Sequence, residues 1–340
     1  MPLDLEPFRS LSPLPTGAGR DLARKALVIG LINNMPDTAL EATEGQFLRL
    51  LGAATDTLAV RLRLSSLPEV PRGSAGLERI NNGTYWPIDE LLREPLDALI
   101  VTGMEPRAPL LSDEPYWDRF GQILRWADAN TTSSIWSCLA AHAAVEHLDG
   151  IQRRRLERKR CGVYEHDALR EHPLLDGLGA RLRTPHSRWN ELPAQALRDA
   201  GYTLASASLE NGADLFTKQR RSLLVFFQGH PEYEEATLLK EYRRDVGRFL
   251  RREQPDYPSL PHGYFPAPAL EILREFQTRA LAAPSLELFA EFPGSAVAAT
   301  LSNMWSADAN RIYRNWLTLL AAAQPAGTSL PTNKLSESRL

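Results

Sequence analysis

The sequence predicts an α/β fold, a mostly parallel sheet flanked by helices. Three observations lead there. Residues 26–32 (ALVIGLI), 98–102 (ALIVT) and 223–227 (LLVFF) are short, unbroken apolar runs, the pattern of strands covered on both faces. Stretches with helical spacing alternate with them, as parallel strands joined by helical crossovers require. Each run stops abruptly, at Asn33-Asn34, at Gly103 or at Gln228-Gly229-His230, and open α/β sheets place their sites at such strand ends.

In chain order, the 26–32 strand gives way to a helical pattern over 40–51, with Thr43, Phe47, Leu50 and Leu51 on related faces. Residues 58–64 (LAVRLRL) alternate, which suits a strand nearer an edge. After the 98–102 strand, 117–128 reads as a helix, and 133–137 (SSIWS) leads into Cys138 and an alanine-rich helix over 139–147. Strands are expected at 203–208 and 223–227, then a helix over 234–251 with Leu238, Leu239, Tyr242, Val246 and Phe249 spaced for one buried face. Pro255, Pro258, Pro261, Pro266 and Pro268 punctuate a loop before two further helices, 269–282 and 309–323, the second with Asp308 as its N-cap. The expected organisation is an N-terminal extension (1–24), one catalytic α/β domain (25–253), a helical C-terminal extension packed on it (254–323) and a polar, frayed tail (324–340).

Charge and composition exclude several classes. Lys and Arg number 39 against 42 Asp and Glu in 340 residues, a formal net charge of −3. A footprint for nucleic acid or a membrane surface needs a clear basic excess, so neither partner is expected. Two cysteines, Cys138 and Cys161, cannot build a disulfide framework, and a reducing, cytoplasmic setting is the default. The N-terminus lacks the basic and apolar regions of a signal peptide, and no apolar run approaches the roughly 18–20 residues of a bilayer span. None of the seven histidines falls in a His-Glu-x-x-His spacing and there is no Cys-x-x-Cys, so no metal site is expected.

Cys138 sits where an apolar strand ends and a helix begins. Such a turn exposes its side chain at the carboxyl edge of the sheet. The helix N-terminus offers unpaired N–H groups and a positive dipole end, which favour a thiolate and can hold a developing oxyanion. Ala140 and Ala141 keep the turn open. His230 and Glu232 follow the 223–227 strand and face the same edge. His230 is placed to take the thiol proton, and Glu232 to hold the ring in one tautomer. Cys161 lies in a charged stretch without that setting and reads as structural.

Several words resemble the homoserine O-acyltransferases of the MetA type, which form O-succinyl- or O-acetylhomoserine early in methionine synthesis. They are 31–36 (LINNMP), 46–51 (QFLRLL), 99–103 (LIVTG), Tyr116-Trp117, 162–166 (GVYEH), 185–188 (PHSR), 229–233 (GHPEY) and 241–245 (EYRRD), with Asn315-Trp316-Leu317 similar to the family's closing helix. The resemblance implies a class I glutamine amidotransferase-like (flavodoxin-like) fold and a homodimer with no bound cofactor. It implies that Cys138 takes the acyl group from acyl-CoA as a thioester, with His230 as base and Glu232 as its orienter, before passing it to the homoserine hydroxyl in ping-pong order. It also carries over Lys159, Ser187 and Arg244 as substrate binders. Their chemistry suits an amino acid, whose carboxylate wants Arg or Lys.

The chain departs from the family pattern at two loops. Asp37-Thr38 stands where members have a lysine pair, and Met104-Glu105-Pro106-Arg107 stands where many read Gly-Ala-Pro. Arg107 aligns with a position that influences acyl choice, and the expectation is that it pairs with the free carboxylate of a succinyl group. The basic run 153–160 (RRRLERKR) reads as a solvated helix end or loop face, part of which meets the phosphates of coenzyme A. The expected activity is succinyl transfer from succinyl-CoA to homoserine. An acetyl-CoA-dependent enzyme acting on homoserine or serine stays open. So does a glutaminase, since the same Cys-His-Glu set hydrolyses amides in the related fold; GVYEH and PHSR favour the transferase.

Overall fold

The computed structural model describes residues 3–8, 26–169 and 171–324. Most of the extension expected over 1–24, and residues 325–340 of the expected tail, lie outside the described residues. The chain opens with β1 (Leu3–Leu5), β2 (Leu27–Ile32), α1 (Asp37–Ala54), β3 (Val60–Ser65), α2 (Ser74–Asn81), β4 (Tyr85–Trp86), α3 (Ile88–Leu91) and β5 (Ala98–Val101). It continues through α4 (Trp117–Asn130), β6 (Ser133–Ser137), α5 (Leu139–Asp149), β7 (Arg154–Ala168), β8 (Arg181–Glu191) and α6 (Ala194–Asp199). Short strands follow: β9 (Thr203–Leu204), β10 (Ser206–Ser208), β11 (Gly212–Ala213), β12 (Leu215–Gln219) and β13 (Leu223–Phe227). Five helices close the described chain: α7 (Thr237–Leu250), α8 (Ala267–Ala282), α9 (Leu286–Ala290), α10 (Gly294–Ala298) and α11 (Ser306–Ala323).

The main sheet runs β1-β3-β2-β5-β6-β13-β12-β9, with β4 also paired to β3. It is parallel from β1 to β13; β12 and β9 add antiparallel pairings. Period-2 geometry sorts its apolar residues between two layers. Leu99, Val101, Trp136, Leu224 and Phe226 join the core beneath α3, α4, α5 and α6. Ile29, Leu31, Ile100, Ile135, Val225 and Phe227 join the core beneath α1 and α11. Both faces are therefore covered, which is why these strands read as continuous apolar runs. A third cluster joins α7 to α8, α9 and α10 through Leu238, Tyr242, Val246, Leu273, Phe276, Leu288 and Val297. No helix among the described residues is long and apolar enough to cross a membrane.

Three sequence expectations need correction. The basic run is neither a helix end nor a loop: residues 154–160 belong to β7, which pairs antiparallel with β8, with a register shift between Arg155 and Arg160. Cross-strand pairing, not an apolar pattern, makes that strand. Together β7, β8, β10 and β11 form a second, wholly antiparallel sheet. Residues 203–208 are two strands in different sheets. Ala205 is the crossing point: its N–H donates to Leu215 in the main sheet (2.9 Å), and its C=O accepts from Leu169, beyond the end of β7 (2.9 Å). Finally, Asp308 does not cap α11. The helix starts at Ser306, where Asn303 Oδ1 accepts the amides of Trp305 (3.3 Å) and Ser306 (2.9 Å), while Asp308 accepts from the Arg183 amide (3.1 Å).

The carboxyl ends of β2, β5, β6 and β13 lie side by side. The Asn34 amide donates to Thr102 Oγ1 (2.9 Å), and the Cys138 amide donates to the Phe227 carbonyl (2.8 Å). The residues that close each strand thus meet on one edge.

Candidate active site

Cys138 occupies the turn between β6 and α5 with φ 52° and ψ −113°, a backbone conformation that side-chain-bearing residues rarely adopt. Its carbonyl accepts the amides of Ala141 (3.0 Å) and His142 (3.3 Å), so the helix begins immediately beyond it. The first amides of α5 have no partner within the helix and point toward the turn. Gly103 packs against this turn: a Cβ there would stand 3.2 Å from the Leu139 nitrogen. The strained cysteine is held from both sides, and the residue is partly exposed.

The thiol lies within hydrogen-bonding reach of His230, and His230 Nδ1 meets Glu232 Oε1 at 2.8 Å. With Nδ1 committed to the carboxylate, Nε2 is the nitrogen left to exchange a proton. Burial opposes a charged ring, but Cys138 and Glu232 outweigh it and hold His230 well above its ordinary value of 6.5. Tyr233 stacks on the imidazole with centroids 4.2 Å apart. The structure thus brings together Cys138, His230 and Glu232, from two strand ends that are neighbours in the sheet.

The PHSR and GHPEY words meet here. The His230 amide donates to the Pro185 carbonyl (2.8 Å), and the Gly229 amide donates to Asp214 Oδ1 (3.0 Å). No other residue fits at 229, because a Cβ would come within 2.5 Å of Thr184 Cγ2 and 2.8 Å of Asp214 Oδ1. Asp214 also accepts from Thr184 (2.8 Å) and faces His186 Nε2 at 3.4 Å and His166 Nδ1 at 4.0 Å. His166, His186 and Asp214 are close enough to resemble a metal-ligand set. Their tautomers oppose that role. Arg188 donates to His186 Nδ1 (3.2 Å), and the Asn211 amide nitrogen bonds His166 Nε2 (2.8 Å). Asn211 Oδ1 is fixed as acceptor by Arg160 and Arg188, so its nitrogen must donate. Both rings therefore carry their protons on the nitrogens facing Asp214, where a metal would need lone pairs. Burial holds both histidines neutral, below the ordinary value.

Lys159, Ser187 and Arg244 are gathered by two acids that sequence reasoning missed. Lys159 Nζ bonds Asp245 (2.8 Å) and lies 3.7 Å from Glu241; Ser187 donates to Glu241; Arg244 Nε bonds Asp245 (3.1 Å). Tyr233 donates to the other Glu241 oxygen (2.7 Å), which ties this group to the ring stacked on His230. The available signal was the four-residue spacing of Glu241 and Asp245 on α7, which puts both on one helix face. Burial works against charge on Lys159, but Cys161, Glu241 and Asp245 outweigh it and raise its pKa. Cys161 lacks the setting of a reactive thiol: burial pushes it up to about 12.

Arg107 is not brought into this group. Its side chain is exposed on the loop after β5, and only its amide is engaged, with that of Ala108, by Glu114 Oε1 (2.5 and 2.7 Å). Of the basic run, Arg154, Arg155, Glu157, Arg158, Lys159 and Arg160 line an open cavity of about 1140 Å³ together with residues 254–260. Arg155 lies over the ring of Trp189 at 4.5 Å.

The sequence model of the homoserine O-succinyltransferase family matches residues 16–326. A relative of that name from Rhodopseudomonas palustris is 46% identical over 303 residues, 89% of this chain and 91% of the relative. Another, from Bradyrhizobium japonicum, is 43% identical over 317 residues, 92% of this chain and 97% of the relative. Among solved structures, a glutamine amido transferase from Methylobacillus Flagellatus superposes with a TM-score of 0.50 at 15% identity, over 87% of this chain and 96% of that one. That likeness concerns the fold alone, and it agrees with the expected amidotransferase-like architecture.

Proposed function

The chain belongs to the homoserine O-succinyltransferase family, and from that premise we propose that it moves a succinyl group from succinyl-CoA to the hydroxyl of L-homoserine through a thioester on Cys138. The observation that carries this reading is the Cys138–His230–Glu232 alignment at the carboxyl edge of the sheet.

In the first half-reaction the Cys138 sulfur attacks the acyl carbonyl. The thiol proton already rests on His230 Nε2, as the raised pKa of that ring favours, so the thiolate attacks and the carbonyl oxygen becomes an oxyanion. The amides at the start of α5 are the donors nearest that charge. Collapse of the intermediate breaks the bond to the coenzyme A sulfur, which takes the proton from His230. In the second half-reaction His230 removes the proton of the homoserine hydroxyl, whose oxygen attacks the thioester. The ester forms, and the proton stays on His230 beside the released Cys138 thiolate. Glu232 stabilises the imidazolium present in both halves. The acceptor is a zwitterion. Arg244 and Lys159 suit its carboxylate, and Glu241, with Asp245, suits its ammonium group.

Intact-mass measurement after mixing with succinyl-CoA, without homoserine, tests the reading. The expected result is a gain of one succinyl group at Cys138, discharged when homoserine is added. Acylation by acetyl-CoA alone, or ammonia release from glutamine with no acyl adduct, would overturn it.

A further inference from the structure

We propose that Trp189 is the platform on which the adenine ring of coenzyme A stacks. The inference deepens the succinyl-CoA reading above and rests on it.

The second sheet is interrupted at this residue. Arg155 pairs with Asn190 and Arg160 with Arg188, so residues 156–159 of β7 all stand opposite the single residue Trp189 of β8. Extra residues of that kind cannot join the ladder, and the strand that carries them bends away from its partner. Trp189, Arg155, Arg158 and Tyr257 line the cavity of about 1140 Å³ found here. All seven tryptophans lie among the described residues, and Trp189 alone is exposed, at 44%.

Contacts tie this cavity to the catalytic group. Ser187 and Trp189 share one face of β8, because side chains alternate along a strand. Ser187 donates to Glu241, which also accepts from Tyr233, the ring stacked on His230. Lys159, in the irregular stretch, lines the cavity and bonds Asp245 (2.8 Å), which lines it too. A long acyl carrier whose thioester lies at His230 therefore has this cavity for its far end.

Charge alone is a weak holder there. Arg154, Arg155, Arg158, Lys159 and Arg160 line the cavity, but so do Glu157, Glu191, Asp245 and Asp256. Arg154 and Arg160 are paired with Glu191, and Lys159 with Asp245. Of the five cations, Arg155 and Arg158 are the two without an ion pair among the described residues. Arg155 lies over the Trp189 ring, 4.5 Å from its centroid. An open indole beside two uncommitted guanidinium groups matches a nucleotide: the base takes the ring, and the phosphates take the cations. Stacking supplies the affinity that the nearly balanced charges do not.

Calorimetry on a Cys138→Ala protein tests the proposal, since succinyl-CoA and S-succinyl-pantetheine, which lacks the nucleotide, then bind without turnover. Trp189→Ala should weaken succinyl-CoA by about 5- to 100-fold and leave S-succinyl-pantetheine unchanged. Trp189→Phe keeps a π-face and should lose only about 2- to 3-fold. Trp189→Leu keeps apolar bulk and should lose about as much as Trp189→Ala, so the Phe and Leu pair stays informative if the alanine variant folds poorly. The loss should persist in high salt, which screens Arg155 and Arg158 from phosphate. Adenosine 3′,5′-bisphosphate, the free nucleotide end, should compete with succinyl-CoA. Unchanged succinyl-CoA affinity in Trp189→Ala and Trp189→Leu, an equal loss for both thioesters, or bisphosphate bound alongside succinyl-CoA would overturn the proposal. Absence of succinyl transfer by the unmodified enzyme is a different result: it removes the underlying activity, not this assignment alone.

Discussion

The Gly229 amide donates to Asp214 Oδ1 at 3.0 Å, one residue before His230, which faces Cys138. A carboxylate buried beneath the site therefore sets the backbone from which His230 projects. Asp214 faces four donors: this amide, Thr184, His186 and His166.

Replacing Asp214 by Asn tests that support. One side of the amide becomes a donor and meets an N–H or O–H already pointing at it. The expected cost is about 2–4 kcal/mol of stability, measured by urea unfolding. Among molecules that remain folded, Cys138 acylation should slow by about 10- to 100-fold with succinyl-CoA affinity little changed. Acylation at the original rate would show that the loop holds His230 without the carboxylate.

Glu232→Gln keeps an oxygen for His230 Nδ1 but removes the charge. Single-turnover acylation should fall by roughly 10- to 1000-fold, because the imidazolium loses its counter-charge. An equally fast variant would mean that Glu232 only packs.

Stability should vary with pH in two opposite senses. Burial pushes His142 down to about 3 and His186 well below 6.5, so both are neutral when folded. Below about 6.5 the unfolded chain binds protons that the folded chain refuses, so stability is lost as pH falls, by about 1.4 kcal/mol per pH unit for each ring. His230 has the reverse sign, because its folded pKa is raised. Its contribution is full below the unfolded value and is lost as pH rises through the folded one. Urea midpoints across a pH series should flatten on the acid side in His142→Gln. The advantage of the unmodified protein over His230→Gln should shrink toward alkaline pH. Parallel curves for all three proteins would contradict both assignments.

The cavity lined by Arg155 and Arg158 is the place to test the expected contact between the basic run and the phosphates of coenzyme A. The double variant Arg155→Ala/Arg158→Ala should raise the KM for acyl-CoA by about 3- to 10-fold, and salt should raise it in the unmodified enzyme. A KM indifferent to both would leave the run as surface charge.

The parallel strands were legible because burial on both faces leaves continuous apolar words. The cysteine turn was legible because β6 stops in polar residues before an alanine-rich helix. The β7–β8 pair was not, since RRRLERKR carries neither period and becomes a strand only through its partner. The sheet change at Ala205 was hidden for a related reason: it depends on where Leu215 and Leu169 end up, not on a local signal. At the site, the meeting of Cys138, His230 and Glu232 followed from strand ends, and Lys159, Ser187 and Arg244 were singled out by family words. Glu241 and Asp245, which link Lys159, Ser187 and Arg244, and Asp214, which holds the Gly229 amide beside His230, are acids whose contacts appear only when distant segments meet.

The closing helix α11 has a consequence for how the protein comes into being. Trp316 Nε1 donates to Ser133 Oγ at 2.9 Å, so a residue near the end of the chain completes the packing of a central strand. During synthesis the sheet must wait with one face partly bare until residues 306–323 have left the ribosome. A ribosome stalled shortly before that point should hold a nascent chain that chaperones still recognise.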